Sequence, residues 1–451
     1  MLGIVLTIRL RDWRTPMRKS YDAVIIGAGI IGASIAFELS KKGYRTLNVD
    51  KLGAAGAGST INTCAIIRTH YSTLEGTAMA YESYLHWKQW PEYLEVEDER
   101  GYAVFHETGL LILLHEERDL SKNLEHHRQL GIPFEEWDLD TLVEKDPYLD
   151  VNAYYPPRRP DDEHFGESTG KKLTGAIFIP AGGYINDPQL SVHNVQRAAE
   201  SKGANFRFKA EVTDIRQHDR RVTGITLQGG KKIDAPVVVN AAGPHSFVIN
   251  RMAKVDKSMK VNTRALRHEV HYVPAPNDYE FQKHGHVTSD HDIGSYSRPE
   301  TGNLLLVGSQ DPECDPKDWV DDPDNFNREV SEQQWQAQVF RLAQRIPTLP
   351  IPGRAKGIVD LYDVSEDWIP IYDKSDLGGF YMAVGTSGNQ YKNGPTAGLL
   401  MAEVIDACQN GRDHDRDPVV VNFPITGFNL NAGFFSRNRE INKDSSFSVL
   451  G

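Results

Sequence analysis

Three glycines and an acidic residue near the start of the chain have the types and spacing needed to bind a nucleotide. Residues 21–50 contain Gly27-x-Gly29-x-x-Gly32, and Asp50 follows eighteen residues after the last glycine. Gly27 permits a tight turn, Gly29 lets the backbone approach a pyrophosphate, and Gly32 lets a helix lie close to a strand. The Asp50 carboxylate can accept hydrogen bonds from ribose hydroxyls. The pattern predicts a dinucleotide site, and a glycine-rich turn without a ligand is the alternative.

The elements around these residues are the ones that such a site requires. An apolar run, Ala23 to Ile26, leads into the motif, and helical periodicity follows until Gly43. A second apolar run, Thr46 to Val49, ends at Asp50. A strand that feeds directly into a helix presents free N–H groups and the positive end of the helix dipole to phosphates. We therefore expect a parallel βαβ unit, which is typical of an α/β, Rossmann-like domain.

Length and composition limit the classes of function. The chain has 451 residues, enough for two domains, and a formal net charge of −12 with a sequence pI near 5.7. This acidity argues against a nucleic-acid partner. The cysteines, Cys64, Cys314 and Cys408, have neither disulfide nor metal-ligand spacing, so a reducing, cytoplasmic location is expected. Residues 1–10 contain an apolar run that precedes the arginines, whereas a signal peptide carries its positive charges before the apolar run. The run is also too short to cross a bilayer, so we expect neither a signal peptide nor a membrane span.

Two further stretches suit a bulky ligand. After Asp50, five small residues, 53–57, lead through Gly58-Ser59-Thr60 toward Arg68. This segment could lie along a cofactor or form a flexible surface loop.

The second stretch lies near the C-terminus. An apolar strand, 379–384, precedes a glycine-containing loop, 385–388, and a helix that opens at Pro395. Its N-terminus would favour negative charge on a bound ligand, and a purely structural helix is the alternative.

These stretches resemble the FAD-dependent amine and amino-acid oxidoreductases of the D-amino acid oxidase and sarcosine oxidase family. The resemblance rests on the glycine-rich βαβ unit, the small-residue loop and Ile66-Ile67-Arg68-x-x-Tyr71. At the other end it includes Ser387, Gly388, Tyr391 and Lys392, and it departs at Asn389 and Gln390, where the family usually has His and Gly. The resemblance implies that the dinucleotide is FAD rather than NAD.

The motifs and the resemblance together assign the FAD-binding residues. They are Gly27, Ala28, Gly29, Ile30, Ile31, Gly32, Asp50, Lys51, Gly58, Ser59, Thr60, Asn62, Thr63, Val212, Ala242, Gly243, Gly385, Ser387, Gly388, Asn389, Gln390, Tyr391 and Lys392. Family members that attach flavin covalently would carry a cysteine near Asp360 or a histidine near Asn62. Neither residue of this chain can form such a bond, so FAD is expected to be non-covalent.

The resemblance also implies a substrate clamp. The family's residues at the positions of Arg68 and Lys392 bind the substrate carboxylate, and a guanidinium and an ammonium that converge suit an anion. Alternatively, each could pair with a local carboxylate. Tyr296 and Arg298 lie two residues apart on one face of a predicted strand and could orient a polar substrate. No metal is expected, because the spacing of the nearby histidines fits no common motif: His268, His271, His286 and His291.

We expect a discontinuous FAD-binding domain and a second, antiparallel-sheet substrate domain. The FAD domain is predicted to comprise residues 20–104, 174–264 and 355–412, and the substrate domain 105–173 and 265–354. Terminal extensions are predicted at 1–19 and 413–451.

The resemblance implies oxidation of a small amine or amino acid, with a secondary, N-methyl compound favoured. The C–H beside nitrogen would give hydride to flavin N5, and water would hydrolyse the resulting imine. A lysine associated with oxygen activation in sarcosine oxidase aligns with Leu306, so the electron acceptor could be oxygen, a quinone or an electron-transfer protein. Two alternatives stay open: a flavin-binding assembly or scaffold protein, and a subunit of a heteromeric sarcosine oxidase-type complex. Other oligomers are also compatible with the sequence.

Overall fold

The computed structural model describes residues 21–277 and 279–451. Its strands are β1 (Ala23–Ile26), β2 (Thr46–Val49), β3 (Ile66–Arg68), β4 (Phe105–His106), β5 (Leu110–Leu114), β6 (Glu135–Trp137), β7 (Gly175–Ile179), β8 (Gly182–Ile185), β9 (Asn205–Arg207), β10 (Val212–His218), β11 (Arg221–Leu227), β12 (Lys232–Asp234), β13 (Val237–Asn240), β14 (Thr263–Pro274), β15 (Val287–Asp290), β16 (Ser295–Glu300), β17 (Leu304–Ser309), β18 (Asp318–Val320), β19 (Gly357–Ser365), β20 (Ile371–Lys374), β21 (Phe380–Val384), β22 (Val420–Asn422) and β23 (Asn429–Asn431). Its α-helices are α1 (Ile30–Lys41), α2 (Leu74–Lys88), α3 (Trp90–Leu94), α4 (Ser121–Leu130), α5 (Leu139–Lys145), α6 (Pro188–Ser201), α7 (Ser246–Ala253), α8 (Phe281–His284), α9 (Glu332–Arg345) and α10 (Gly394–Gln409). The N-terminal extension predicted for residues 1–19 lies outside the described residues.

Strand β1 lies inside a six-stranded sheet of order β20-β21-β13-β1-β2-β9. Its neighbours β2 and β13 run parallel to it, and only β20 at the edge pairs antiparallel. Because successive side chains alternate, Ala23 and Ile25 pack against α1, α6 and α10, whereas Val24 and Ile26 pack toward the β10-β11-β12 meander. The predicted βαβ unit is therefore the covered, parallel centre of an α/β layer.

A second, mostly antiparallel sheet has nine strands in the order β18-β14-β17-β16-β15-β5-β7-β6, with β19 also paired to β14. Helix α9 covers one face, where Trp335 and Leu342 pack against Val273, Leu305 and Val307. Side chains at the alternate positions of these strands point to the opposite face of the sheet, away from α9. That second face is available to line a cavity.

Two strands within the predicted FAD-domain ranges belong to this second sheet. Strand β19, inside 355–412, pairs with β14 over nine residues, and β7, inside 174–264, pairs with β5 and β6. The backbone groups of these two strands are therefore satisfied by ladders of the second sheet, although the predicted ranges place them in the FAD domain. The division into two domains stays a prediction.

The C-terminal range 413–451, which is predicted as an extension, packs into the core. Phe423 and Phe435 are buried in the core that contains α1 and α10. Arg437 is fully buried and pairs with Asp373 of β20, Nη1 to Oδ2, at 2.9 Å.

None of the helices in residues 21–277 and 279–451 combines the length and apolar character needed to cross a membrane.

Candidate active site

A cavity of about 540 Å³ lies between the glycine-rich edge of the six-stranded sheet and the open face of the nine-stranded sheet. Its wall includes Gly27 and Gly29 of the first sheet and Val270, Thr288 and Tyr296 of the second. A volume of this size is typical of sites for small molecules and cofactors. The two sheets therefore build one site from distant parts of the chain.

The glycine motif has the geometry that its spacing predicts. Gly27 has φ +112°, and a Cβ there would lie 2.2 Å from the Ala241 carbonyl oxygen. A Cβ on Gly32 would lie 2.3 Å from the Gly27 carbonyl oxygen. Gly29 is the N-cap of α1 and has no side chain to cap the helix; Thr60 Oγ1 accepts a hydrogen bond from the Ile30 amide at 3.3 Å, and the next amides of the first turn are available to a ligand.

Asn48 supports this turn and is absent from the sequence-based assignment. Its Nδ2 donates to the carbonyl oxygens of Gly27, at 3.1 Å, and Gly32, at 2.9 Å. A buried amide within the apolar run of β2 is the signal that could have revealed it.

The Asp50 carboxylate stands at the end of β2, beside the glycine motif. Its Oδ2 accepts a hydrogen bond of 2.8 Å from the Ala28 amide, and Oδ1 accepts one of 2.8 Å from the Leu52 amide. Next along the chain, Lys51 pairs with Asp324, and its Nζ lies 2.8 Å from His245 Nε2. The segment 323–328, which the sequence does not assign to the site, thereby closes this end of the cavity.

Most of the assigned FAD-binding residues lie on the cavity wall. The wall contains Gly27, Gly29, Ile30, Ile31, Asp50, Lys51, Gly58, Ser59, Thr60, Asn62, Thr63, Val212, Ala242, Gly243, Gly388, Asn389, Gln390, Tyr391 and Lys392. Ala28, Gly32, Gly385 and Ser387 are not on this wall. These four residues lie in the backbone turns of the two loops that carry the wall residues.

The C-terminal glycine loop is fastened by a buried carboxylate. Asp363 of β19 accepts hydrogen bonds of 2.6 Å from the Gly385 amide and from Ser246 Oγ. Burial raises the pKa of Asp363 to about 7. Gly388 lies under the Tyr362 ring, where a Cβ would come within 2.5 Å of a ring carbon. The loop thus follows the nine-stranded sheet closely and ends at the start of α10.

The structure fits FAD. The N-terminus of α1 suits a pyrophosphate, and Asp50 stands where a ribose hydroxyl would be held. The cradle of glycines and small residues allows a flat ligand to approach backbone on both sides. The second helix N-terminus, at Gly394, follows the loop that reaches the opposite part of the wall.

Arg68 and Lys392 meet at Tyr71. The Arg68 guanidinium carbon lies 4.5 Å from the Tyr71 ring centroid, and the Lys392 Nζ lies 5.2 Å from it. Lys392 Nζ also donates to the Tyr71 hydroxyl, at 3.0 Å, and to the Asn389 carbonyl, at 2.6 Å. Both cations are buried on the cavity wall.

Neither cation has a carboxylate partner among the residues that the structure describes. Burial, with repulsion from Arg68, lowers the pKa of Lys392 well below its usual range. Burial also lowers the pKa of Arg68. Within the described part of the chain, the alternative of local carboxylate pairing for either residue therefore has no partner to support it.

A C-terminal segment covers Arg68. Its guanidinium donates through Nη1 to the His70 carbonyl and through Nη2 to the Val449 carbonyl, at 2.7 Å. Val449 and Leu450 lie on the cavity wall. The side chain of Val449 packs with Leu266, Val364 and Trp368.

Tyr296 and Arg298 occupy different environments. Tyr296 is on the cavity wall, and its hydroxyl lies 3.1 Å from the Cys64 sulfur. The Arg298 guanidinium pairs with Glu300 at 2.9 Å and donates to the Cys64 carbonyl at 2.8 Å. Arg298 therefore braces the loop that carries Cys64 and is not one of the wall residues.

The four histidines considered for a metal do not converge. His268 is on the cavity wall and its Nε2 lies 2.7 Å from Asp311 Oδ1, whereas His271 bonds to Gln338. His286 bonds to the Thr108 carbonyl, and His291 contacts His115. Each of the four histidines therefore contacts a different partner.

Comparison with known proteins agrees with this architecture. A family model described as FAD dependent oxidoreductase matches residues 22–404. Glycine oxidase of Geobacillus kaustophilus (strain HTA426) is 25% identical over 409 residues, which are 88% of this chain and 96% of that protein. Sarcosine oxidase subunit beta of Arthrobacter sp is 24% identical over 405 residues, 87% of this chain and 89% of that protein. The solved structure of L-proline dehydrogenase from P. horikoshii shares the fold, with a TM-score of 0.73, 19% identity and coverage of 93% and 98% of the two chains.

Proposed function

The chain belongs to the family of FAD-dependent oxidoreductases, and from this premise we propose that it oxidises the C–N bond of a small amine that carries a carboxylate. FAD is its cofactor. The observation that carries the proposal is the pair of buried cations, Arg68 and Lys392, on one part of the cavity wall without a carboxylate partner among the described residues. Uncompensated buried charge is unfavourable, so such a site favours an anionic ligand.

The protein's contribution to this reaction is mainly orientation. When bound, FAD supplies a two-electron acceptor for the hydride of the substrate. Arg68 and Lys392 would hold the carboxylate, with Tyr71 between them fixing their separation. The low pKa of Lys392 would rise when an anion binds, so that the ammonium form is restored where it is needed.

The amine end of the substrate needs a place free of competing cations. The open face of the nine-stranded sheet supplies the Tyr296 hydroxyl and the uncharged wall residues Val270 and Val287. Val449 and Leu450 help to exclude water on the clamp side. These features favour a neutral amine, which is the form that can lose hydride from the adjacent carbon.

The names of two relatives support this substrate class. Glycine oxidase and sarcosine oxidase subunit beta are named for a small primary and a small N-methyl amino acid. We propose a secondary, N-methyl amino acid as the substrate, with FAD bound non-covalently, in a cytoplasmic enzyme. The second relative also favours another candidate, in which the chain is the flavin subunit of a heteromeric complex.

An anaerobic flavin-reduction screen tests the proposal. Holoenzyme is mixed with N-methylglycine, glycine, N-methylalanine and proline, each beside its decarboxylated amine, and flavin absorbance is followed in stopped flow. We expect at least one amino acid to bleach the flavin and its decarboxylated partner to do so far less well. Reduction of the flavin by none of these compounds or other secondary amines would instead favour a scaffold role. Co-purification of other subunits would identify the heteromeric complex.

A further inference from the structure

The imidazole of His70 is buried on the cavity wall without a hydrogen-bond partner. It follows Arg68 by two residues and is 5% exposed. Its Nδ1 is enclosed, and neither ring nitrogen bonds to any residue in 21–277 or 279–451. Buried polar groups are normally satisfied, so this ring lacks an acceptor or donor that a ligand could supply.

The charged side chains that act on His70 are two arginines, Arg118 and Arg68. Burial lowers the pKa of His70 well below its usual range, and His127, Arg118, Arg68 and His126 lower it further. The His127 ring centroid lies 5.9 Å from that of His70. Among the described residues, none of the groups that shift this pKa most is a carboxylate. The field at His70 is therefore positive although the ring itself is neutral.

Arg118 adds to this imbalance. Its Nε is enclosed without a hydrogen-bond partner, and the guanidinium has no ion pair within the described part of the chain. Burial lowers the pKa of Arg118. Arg118 is not on the cavity wall, so it acts on a ligand through its field rather than by contact.

One substrate carboxylate between Arg68 and Lys392 leaves this second positive region uncompensated. We propose that His70 binds a second carboxylate of the substrate, and that the preferred substrates are therefore amino acids with two acidic groups. A neutral imidazole donates one N–H to such a group, and the field of Arg118 and Arg68 favours an anion over a hydroxyl at that position. This inference rests on the proposed function and specifies its substrate class.

Two non-reacting ligands separate the second carboxylate from the first. In (methylthio)acetate and (methylthio)succinate, sulfur replaces the amine nitrogen, so no imine can form, and the second ligand differs by one added CH₂COO⁻ group. Each is titrated into holoenzyme at pH 7.5, and the dissociation constant is taken from the change in flavin absorbance. We expect the wild-type protein to bind the dicarboxylate about tenfold or more tightly, the value of a charge-assisted hydrogen bond.

His70→Phe keeps a ring of similar size and removes both nitrogens. We expect it to abolish the preference while leaving FAD content and the affinity for (methylthio)acetate within about twofold of the wild-type values. His70→Asn, which keeps a short donor, should restore part of the preference. His126→Phe is the matched control, because this neighbouring histidine is not on the cavity wall, and it should keep most of the preference.

The outcomes distinguish this inference from the proposed function. Equal wild-type affinity for the two ligands, or a preference that survives in His70→Phe, would overturn the role of His70. If a variant does not fold, the ratio of the two wild-type dissociation constants still tests whether the cavity binds a second carboxylate. If N-methylglycine and N-methylaspartate both reduce the flavin equally well, the proposed function stands and only the second carboxylate site fails. If neither these nor other amines reduce it, the proposed function itself fails.

Discussion

Asn62 and Asp360 are hydrogen-bonded to each other on the cavity wall. The Nδ2 of Asn62 lies 2.6 Å from Oδ2 of Asp360, although 298 residues separate them in the chain. Ser59 Oγ lies 3.4 Å from Oδ1 of the same Asp360 carboxylate. These are the two positions at which the family resemblance would place a covalent attachment. Here an amide and a carboxylate bond to each other, in place of the histidine and the cysteine that the resemblance associates with covalent attachment.

We therefore expect FAD to be released by denaturation. Acid precipitation of the yellow protein should leave flavin in the supernatant, measured by absorbance and by mass spectrometry of the pellet. Cys64 is the cysteine on the cavity wall, so Cys64→Ser serves as a control. Flavin that remains in the wild-type pellet would contradict non-covalent binding, and its loss from the Cys64→Ser pellet would locate the bond.

Gly29 and Gly32 should respond differently to the same substitution. A Cβ at Gly29 would meet only Thr60 Oγ1, at 3.0 Å, whereas a Cβ at Gly32 would lie 2.3 Å from a backbone oxygen. Gly29→Val should give a folded protein that is largely free of FAD. Gly32→Val should lower the free energy of unfolding of the apoprotein as well, by about 1–3 kcal/mol or more.

Flavin content and apoprotein melting temperature check this difference. The Gly29→Val protein should melt within a few degrees of wild-type apoprotein. Full FAD occupancy in that variant would show that its side chain does not enter the pyrophosphate position.

Leu306 predicts slow reaction with oxygen. It is 1% exposed and pairs with Arg298 and Tyr272 across the second sheet, on the face that α9 does not cover. Because no cation stands at this position, reduced protein should reoxidise slowly in air and quickly with a dye or quinone. Leu306→Lys should speed reoxidation in air, and Leu306→Met should not. Oxygen consumption that keeps pace with dye reduction in the wild type would remove this argument.

Arg68→Ala and Lys392→Ala should each weaken binding of an amino-acid ligand by about 2–5 kcal/mol, because the carboxylate loses one of two buried partners. FAD should stay bound in both. Dissociation constants from flavin difference spectra provide the measurement, with the decarboxylated amine as the control ligand.

The two effects should be non-additive in a double-mutant cycle, since both cations act on one group. Equal losses for the acid and the amine would mean that the substitutions disrupt the site generally. Unchanged affinity in one variant would remove that residue from the clamp.

Asp363 should make stability fall between about pH 4 and pH 7. Its folded-state pKa of about 7 exceeds the value of about 3.9 in an unfolded chain, so folding favours its protonated form. Its contribution is fully present below the unfolded value and is lost as pH rises through the folded one. Asp363→Asn removes this titration, so the melting temperature of the variant relative to wild type should rise from pH 5 to pH 8.

Asp367→Asn is the matched control. Burial opposes ionisation of Asp367, but hydrogen bonds and charge from Arg439 lower its pKa overall. This substitution should therefore destabilise the protein to a similar extent at pH 5 and pH 8. An Asp363→Asn difference that is the same at both pH values would contradict the raised pKa.

The sequence by itself determined the local parts of the site. The turn at Gly27, the helix that begins after Gly29 and the position of Asp50 follow from steric limits and periodicity within thirty residues, and the structure contains them. Such features need only neighbours in the chain.

Only the tertiary structure decided which distant groups meet. Arg68 reaches Val449, 381 residues away, and Arg298 turns to Glu300 instead of the cavity wall. The pairing of β19 with β14 likewise moved a strand from the predicted FAD domain into the second sheet. Periodicity tells which face of an element is apolar, but partner choice depends on the whole topology and on the burial that results. His70 became a candidate for the same reason, since an unsatisfied nitrogen is visible only when every neighbour is in place.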